Sequence, residues 1–362
     1  MIISIGILAW NEEESIGLAV KSLLEQSLIR ELANHPEDQL EIVVVPNGCK
    51  DRTDEKAAEA LRAGATTLPA ERFSWRVESL REAGKVNAWN QFAHRFSNQA
   101  ADYVFLMDAD ISFTHPDTLK NMVLALEQTP QAEASTDLPQ KHILFKSRKT
   151  LGDRLSLAIG QITQSAPAQL TGQLYCARGP MLRRIHMPLG LIVEDGFLKQ
   201  MICSNLFTQQ PNNARIIRAP NASHVFEAYF RIIDIFNNQR RQQIGHCIYT
   251  YLRDNLKADT SGKDAGELIA KNNARDPDWF RKVIRERVQQ GGRWVIYPGA
   301  LGVRFKRLKN LSPVQAILRL PVAIVAFFMD VVILVAANNC LRSGQLAGVW
   351  KDTKTSVLSQ IK

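Results

Sequence analysis

Tyr103-Val-Phe-Leu-Met-Asp108-Ala109-Asp110 decides how this chain is read. Five apolar or aromatic residues in a row read as a buried strand, and that strand ends in two carboxylates one residue apart. Alternation along an extended chain turns Asp108 and Asp110 towards the same side. Two like charges at the rim of a sheet are costly unless a cation or hydroxyl groups meet them there. A hard divalent metal that also holds phosphate oxygens would answer that demand. The Asp-x-Asp pair is common in itself, and capping of the helix that follows is its plainer use, so its meaning rests on its neighbours.

Outward from that strand, the first half of the chain alternates short apolar runs with amphipathic stretches. The predicted strands are Ile2–Leu8, Leu40–Val45, Trp75–Val77, Tyr103–Met107, Leu174–Cys176 and Arg215–Arg218. The predicted helices are Glu14–Ala33, Asp54–Ala63, Lys85–Ser97 and Thr118–Glu127. Such alternation marks an α/β fold with a mostly parallel sheet, in which ligands bind beyond the carboxyl ends of the strands. Four of those ends carry polar residues: Trp10-Asn11-Glu12-Glu13, Asn47-Gly48, Glu78 and Asp108–Asp110. Their convergence implies one site. No Gly-x-Gly-x-x-Gly, Walker loop, Gly-x-Ser-x-Gly or His-Glu-x-x-His occurs, which disfavours a dehydrogenase, a P-loop enzyme, a hydrolase triad and a zinc protease.

The 362 residues suit one large domain with additions, or two domains. A formal charge of +9 points to an anionic partner such as a nucleotide or lipid headgroups. Nucleic acid is disfavoured, because no basic motif interleaved with aromatics appears. Five scattered cysteines without a Cys-x-x-Cys read as reduced thiols of a cytosolic domain. From Leu320 to Ala337 the chain is apolar apart from Asp330, with Arg304, Lys306, Arg307, Lys309 and Arg319 upstream. That is about the minimum for a membrane span with its basic flank on the cytoplasmic side. An acid inside a span costs roughly 3 kcal/mol, so a helix in the membrane interface is an equal alternative and a buried helix of a soluble domain a third. From Phe226 the pattern turns helical, with an apolar face of Phe226, Phe230, Ile233 and Phe236. The expected division is residues 1–225, a helical extension 226–312 and a membrane-associated segment 313–362.

Six stretches then fall into one pattern: Ala9-Trp-Asn-Glu-Glu-Glu-Ser15, Val45-Pro-Asn-Gly-Cys-Lys-Asp-Arg-Thr53, Gly84-Lys-Val-Asn-Ala-Trp-Asn90, Asp108-Ala-Asp110, Thr171-Gly-Gln-Leu-Tyr175 and Val193-Glu-Asp195. In content and order they resemble the family 2 inverting glycosyltransferases, over roughly Met1–Gly245. The resemblance implies the GT-A fold, a Rossmann-like nucleotide-sugar-binding domain. It implies transfer of a sugar from a nucleotide-sugar, a UDP-sugar first, to a hydroxyl of a lipid-linked or glycan acceptor. It further implies Mg²⁺ or Mn²⁺ as cofactor and, with the apolar segment, a place on the cytoplasmic face of a membrane.

By the same resemblance Trp10, Asn11, Glu13, Asn47, Lys85, Asp108 and Arg241 hold the donor. Trp10 lies against the base, Asn47 stands where the family often has an Asp at the base edge, and Lys85 meets a phosphate. Asp108 approaches ribose or sugar hydroxyls, and Asp110 ligates the metal. Asp195, with Glu194 beside it, is the general base that takes the acceptor proton. Gly172, Gln173, Tyr175 and Arg178 line the acceptor side. Plainer uses exist for several: a core tryptophan, a solvated lysine opening a helix, an aspartate capping one.

Two stretches compete for the family's Gln-x-x-Arg-Trp. Gln290-Gly-Gly-Arg293-Trp294 matches literally but lies far downstream. Asn238-Gln-Arg-Arg241-Gln242 is degenerate yet follows Ala219-Pro-Asn-Ala222, read as a strand end, at the family's offset, and is favoured. Gln242 in place of tryptophan points to single-sugar transfer over polymer synthesis. Leu8, Asn47 and Gln242 depart from the pattern and leave an inactive nucleotide-sugar-binding scaffold as an alternative. A sugar nucleotidyltransferase would need a Gly-rich basic loop after the first strand, which the acidic Trp10–Glu14 stretch is not.

Overall fold

A computed structural model describes residues 1–150, 170–227, 232–258, 263–302 and 313–344, together with Asp153 and Leu157. Its strands are β1 (Ile2–Ala9), β2 (Gln39–Pro46), β3 (Phe73–Val77), β4 (Tyr103–Asp108), β5 (Ile111–Phe113), β6 (Ala134–Lys141), β7 (Leu174–Arg178) and β8 (Ile216–Phe226). They form one sheet in the order β3-β2-β1-β4-β7-β6-β8-β5. β1 pairs in parallel with β2 and β4, and β2 with β3. β7 runs antiparallel to β4 and β6, and β5 to β8, while β6 and β8 are parallel. The sheet is therefore mixed and mainly parallel, as the alternation predicts.

The helices are α1 (Ile16–Leu24), α2 (Thr53–Gly64), α3 (Lys85–Gln91), α4 (Thr118–Gln128), α5 (Gly179–Arg184), α6 (Glu194–Cys203), α7 (Ile232–Ala258), α8 (Ala265–Arg275), α9 (Trp279–Gln290) and α10 (Pro313–Ser343), with a single turn at Ser27–Arg30. Both faces of the sheet are covered. Tyr103, Phe105 and Met107 of β4 join one buried cluster, with Ile3, Ile5 and Ile7 of β1. Val104 and Leu106 join the other, which is the two-residue alternation of a strand buried on both sides. That second cluster also takes in Ile244, Ile248 and Leu252 of α7, Ile284 of α9, and Leu334, Ala337 and Leu341 of α10. These helices thus share their core with the sheet.

Several departures from the sequence reading have local causes. The predicted helix Glu14–Ala33 breaks after Leu24, because Gln26 is buried and bonded to backbone just before and within the first turn of α4. Its amide donates to His115 O at 3.0 Å and its Oε1 accepts from Leu119 N at 3.2 Å. The predicted helix Lys85–Ser97 ends as an α-helix at Gln91 and finishes in a π-turn, Phe92–Phe96. β5 and β6 escape prediction; β6 carries buried Thr136 and Asp137 where apolar residues are expected. Ala219-Pro-Asn-Ala222 is no strand end: β8 continues to Phe226, and the irregularity around Pro220 appears as a register shift opposite Thr136 and Leu138. Phe226 accordingly closes a strand, Ile233 is exposed, and Phe230 lies outside the described residues. The basic flank Arg304, Lys306, Arg307 and Lys309 lies outside them as well. Within α10, Ala326–Ser343 is long and apolar enough to cross a membrane, with a mean hydropathy of 1.4.

Candidate active site

Because β1 to β4 are mutually parallel, their carboxyl ends share one edge of the sheet. At that edge the loop after β1 is zipped to the loop after β2. Glu12 N donates to Thr53 Oγ1 at 2.7 Å and Glu13 N to Asp51 Oδ2 at 3.1 Å. Lys50 N donates to Asn11 Oδ1 at 2.8 Å and Arg52 N to Glu13 Oε2 at 3.2 Å. Asn11 adopts φ 53°, a left-handed conformation that asparagine tolerates better than most residues. Gly48 (φ +65°) could carry no side chain, since a Cβ would lie 2.5 Å from Ala83 N. Asn11 and Glu13 therefore shape this rim through the opposite loop, and Trp10 sits partly exposed beside them.

Asn47 is buried, and both ends of its amide are used by the backbone. Its Nδ2 donates to Ala9 O at 2.7 Å and its Oδ1 accepts from Gly84 N at 3.0 Å. It thereby ties the ends of β1 and β2 to the start of α3. The base-edge contact expected of it competes with this duty.

α3 begins at Lys85, whose ammonium reaches across the edge. It lies 2.7 Å from Asp108 Oδ1 and 2.9 Å from Glu194 Oε1, and 3.4 Å from Gly172 O. β7 runs antiparallel to β4, so its first residues come back to the end of β4: Asp108 N donates to Gln173 O at 2.9 Å. Gly172 packs close to these charges: a Cβ there would stand 3.1 Å from Glu194 Oε1 and 3.5 Å from Lys85 Nζ. Tyr175 is buried and accepts from Trp89 Nε1 at 2.5 Å. Leu8, Lys85, Trp89, Asp108, Gly172, Tyr175, Glu194 and Asp195 line one recess.

The first turn of α6 supplies Glu194 and Asp195, where the helix dipole favours negative charge. Arg241 of α7 brings a positive charge that bears on both carboxylates. α7 comes this close because Gly245, one turn beyond Arg241, rests on Val193; a Cβ there would fall 2.3 Å from Val193 Cγ2. Arg293 and Trp294, the competing pair, are exposed beside the end of α10, where Arg293 O accepts from Asn338 Nδ2 at 3.1 Å.

The charges in and beside the recess act on one another. Burial would lower the Lys85 pKa, yet the Asp108 and Glu194 carboxylates outweigh it and hold the ammonium well above its usual range. Burial would raise Glu194, but Lys85 keeps it below the ordinary value. Asp108 is raised by burial in spite of Lys85. Asp195 is raised by burial and then by the charge of Glu194. Asp110 is pushed up to about 7, by burial first and the Asp108 charge second.

A carboxyl so raised marks a place where negative charge wants a cation. The oxygens of Asp108 and Asp110 suit a hard dication such as Mg²⁺ or Mn²⁺. Among the described residues no three His, Cys, Asp or Glu side chains form a ready cage, so such an ion would also need oxygens from a ligand. The donor set fits a metal shared with a diphosphate.

Two expectations need amendment. Arg178 lies at the far end of β7, opposite Tyr103, about 13 Å from Leu174 at 3.3 Å per residue. There its guanidinium holds Ala132 O at 2.9 Å and Leu126 O at 2.6 Å, the latter in the last turn of α4, and it takes no part in the recess. Sequence reasoning also missed a buried pair behind the aspartates. His224 Nδ1 lies 2.6 Å from Asp137 Oδ2, and His224 Nε2 lies 3.4 Å from Gln173 Oε1. A protonated imidazole at this position would lower both Asp108 and Asp110. The two residues stand 87 positions apart on neighbouring strands, and no local motif announces them.

Residues 4–173 match the family model described as glycosyl transferase family 2. No curated protein matches the chain. Among solved structures, a mannosyltransferase from Pyrobaculum calidifontis in complex with GDP-Man and Mn²⁺ overlaps 94% of this chain and 86% of its own at 18% identity, with a TM-score of 0.52. Glucosyl-3-phosphoglycerate synthase from Mycobacterium tuberculosis, in complex with Mn²⁺, UDP and glucosyl-3-phosphoglycerate, overlaps 69% of this chain and 79% of its own at 20% identity, with a TM-score of 0.45. Likeness at the first of these levels establishes a shared fold and nothing finer; the second adds no argument.

Proposed function

We propose that this chain, whose residues 4–173 match the glycosyl transferase family 2 model and whose fold is GT-A, transfers one sugar, with inversion, from a nucleotide-sugar to a hydroxyl of a lipid-linked or membrane-adjacent acceptor. The reaction takes place at the cytoplasmic face of a membrane. The donor is UDP-linked in the first instance, on the strength of the sequence resemblance. One observation supports the reading above all others: the end of β4, the head of α3 and the first turn of α6 meet in a single recess lined by Asp108, Lys85, Glu194 and Asp195.

Each side chain then has a task. Asp195 accepts the proton of the acceptor hydroxyl as its oxygen attacks the anomeric carbon, and the bond to the diphosphate breaks on the opposite face. A positioned base of this kind contributes about 10²–10⁴-fold. A single displacement inverts the centre and needs no carboxylate nucleophile. Lys85, kept charged by its two partners, is within reach of the recess for a phosphate oxygen, and Arg241 adds positive charge beside α6. Asp110 with Asp108 would hold Mg²⁺ or Mn²⁺, which supplies charge neutralisation for the departing nucleoside diphosphate. Trp10, partly exposed at the rim, offers an indole face to the base.

The test is a panel of nucleotide-sugars incubated with the purified full chain, Mn²⁺ and a lipid extract, scoring release of nucleoside diphosphate. At least one donor is turned over, EDTA stops it, and lipid extract accelerates it. Release from no donor by folded protein, or release indifferent to EDTA, refutes the proposal.

A further inference from the structure

Resting on the membrane-side reading above and sharpening it, we propose that α10 lies along a bilayer surface with one apolar stripe sunk among anionic headgroups, and does not cross. The carrying observation is one-sided exposure. Ile317, Leu320, Ile324, Phe328, Val332 and Val335 are all exposed, Ile317 at 71% and Phe328 at 65%. At about 100° per residue they fall within an arc of roughly 120°, and at 1.5 Å per residue the stripe is about 27 Å long. A continuous apolar face of this size is unusual on a soluble monomer.

The other side of the helix is covered. Ala323, Ile333, Leu334, Ala337 and Leu341 are buried where α10 packs on α7 and α9. Asn338 fastens that side, its Oδ1 accepting from Val295 N at 2.8 Å and its Nδ2 donating to Arg293 O at 3.1 Å. Asp330 lies roughly 200° round the helix from Phe328; it is half-buried, on the covered side and turned away from the stripe.

Crossing would require α10 to take its covering with it. α9 carries Arg281, Lys282, Arg285, Glu286 and Arg287 in twelve residues, and such a segment cannot enter hydrocarbon. The helix therefore belongs at the boundary, where an amphipathic helix sinks its apolar face by about 5–10 Å. The end of the stripe agrees. One heptad beyond Val335 stands exposed Arg342, whose guanidinium approaches Arg293 O at 3.4 Å. Exposed Trp294 follows Arg293 in the chain. Indole and guanidinium groups favour the headgroup region, the latter with anionic lipid, and the net charge of +9 acts in the same direction.

The test floats the full chain, carrying a C-terminal tag, on vesicles of phosphatidylcholine alone or with three parts in ten phosphatidylglycerol. Wild type floats with the anionic vesicles and about tenfold less with the neutral ones. Phe328→Asp with Val332→Asp lowers flotation at least tenfold. Phe328→Ser with Val332→Ser, milder for the fold, gives an intermediate loss. External protease removes the tag completely from vesicle-bound protein. Wild-type flotation by both double variants overturns the proposal, as does a protected tag, which would mean crossing. A wild-type dimer that the Asp variant dissociates, with no flotation, overturns it in favour of a second copy on the stripe. Metal-dependent nucleotide release is followed in lipid-free buffer alongside: wild type that turns over donor but never floats sinks this inference and leaves the enzymatic reading standing.

Discussion

The Lys85 ammonium joins the end of β4 to the start of α6, 2.7 Å from Asp108 Oδ1 and 2.9 Å from Glu194 Oε1. The lysine side chain is only 21% exposed, so the bridge is largely withdrawn from water. Removing one partner of such a pair strands the other charges, which costs about 3 kcal/mol or more. Lys85→Met is therefore expected to lower the free energy of unfolding by about 3 kcal/mol, measured by urea titration. A variant as stable as wild type would mean that the bridge does not hold the two elements together in solution.

Gly245 lets α7 ride on Val193 and so carries Arg241 to Glu194 and Asp195. Gly245→Val should push α7 off the start of α6 and cut turnover at least tenfold, with Val193→Ala in the same chain restoring part of it. Turnover unaffected by Gly245→Val would show that the contact does not position Arg241.

Asp110 titrates high because it is buried beside Asp108, and a dication relieves that charge. Asp110→Asn should weaken Mn²⁺-dependent nucleotide binding by at least tenfold in calorimetry, while binding without metal stays the same. Equal affinity with and without Mn²⁺ in both proteins would remove Asp110 from the metal site.

Behind α3, His94 and His186 stack with ring centroids 3.8 Å apart. Burial and then the neighbouring imidazole depress His94 to about 4, and burial also lowers His186. Between about pH 4 and 6.5 the unfolded chain therefore binds more protons than the folded one, and stability rises with pH in that window. Acidification from pH 6.5 to 4.5 should cost wild type about 2 kcal/mol more than His94→Gln, read from thermal melts. Parallel pH profiles would contradict it.

How much of this was legible in the sequence varies by residue. β1, β2 and β4 are buried on both faces and announce themselves as apolar runs, and the parallel arrangement follows from the helices between them. Asp108, Lys85, Glu194 and Asp195 were found because each stands at an element boundary within a short recognisable stretch. Asp137 and His224 were not, since their pairing depends on β6 and β8 becoming neighbours, and buried polar residues disguise β6. The family resemblance puts Arg178 on the acceptor side with Tyr175. In an antiparallel strand, however, four residues carry it to the opposite edge. Asn47 was read for its chemistry, and its backbone bonds to Ala9 and Gly84 became visible only once three strand ends met.

The most direct test of the central claim compares wild type with Asp195→Asn, measuring donor affinity and the rate of sugar transfer on the same preparations. The account predicts donor affinity within about twofold and transfer at least 10²-fold slower. Transfer by Asp195→Asn within threefold of wild type would contradict it.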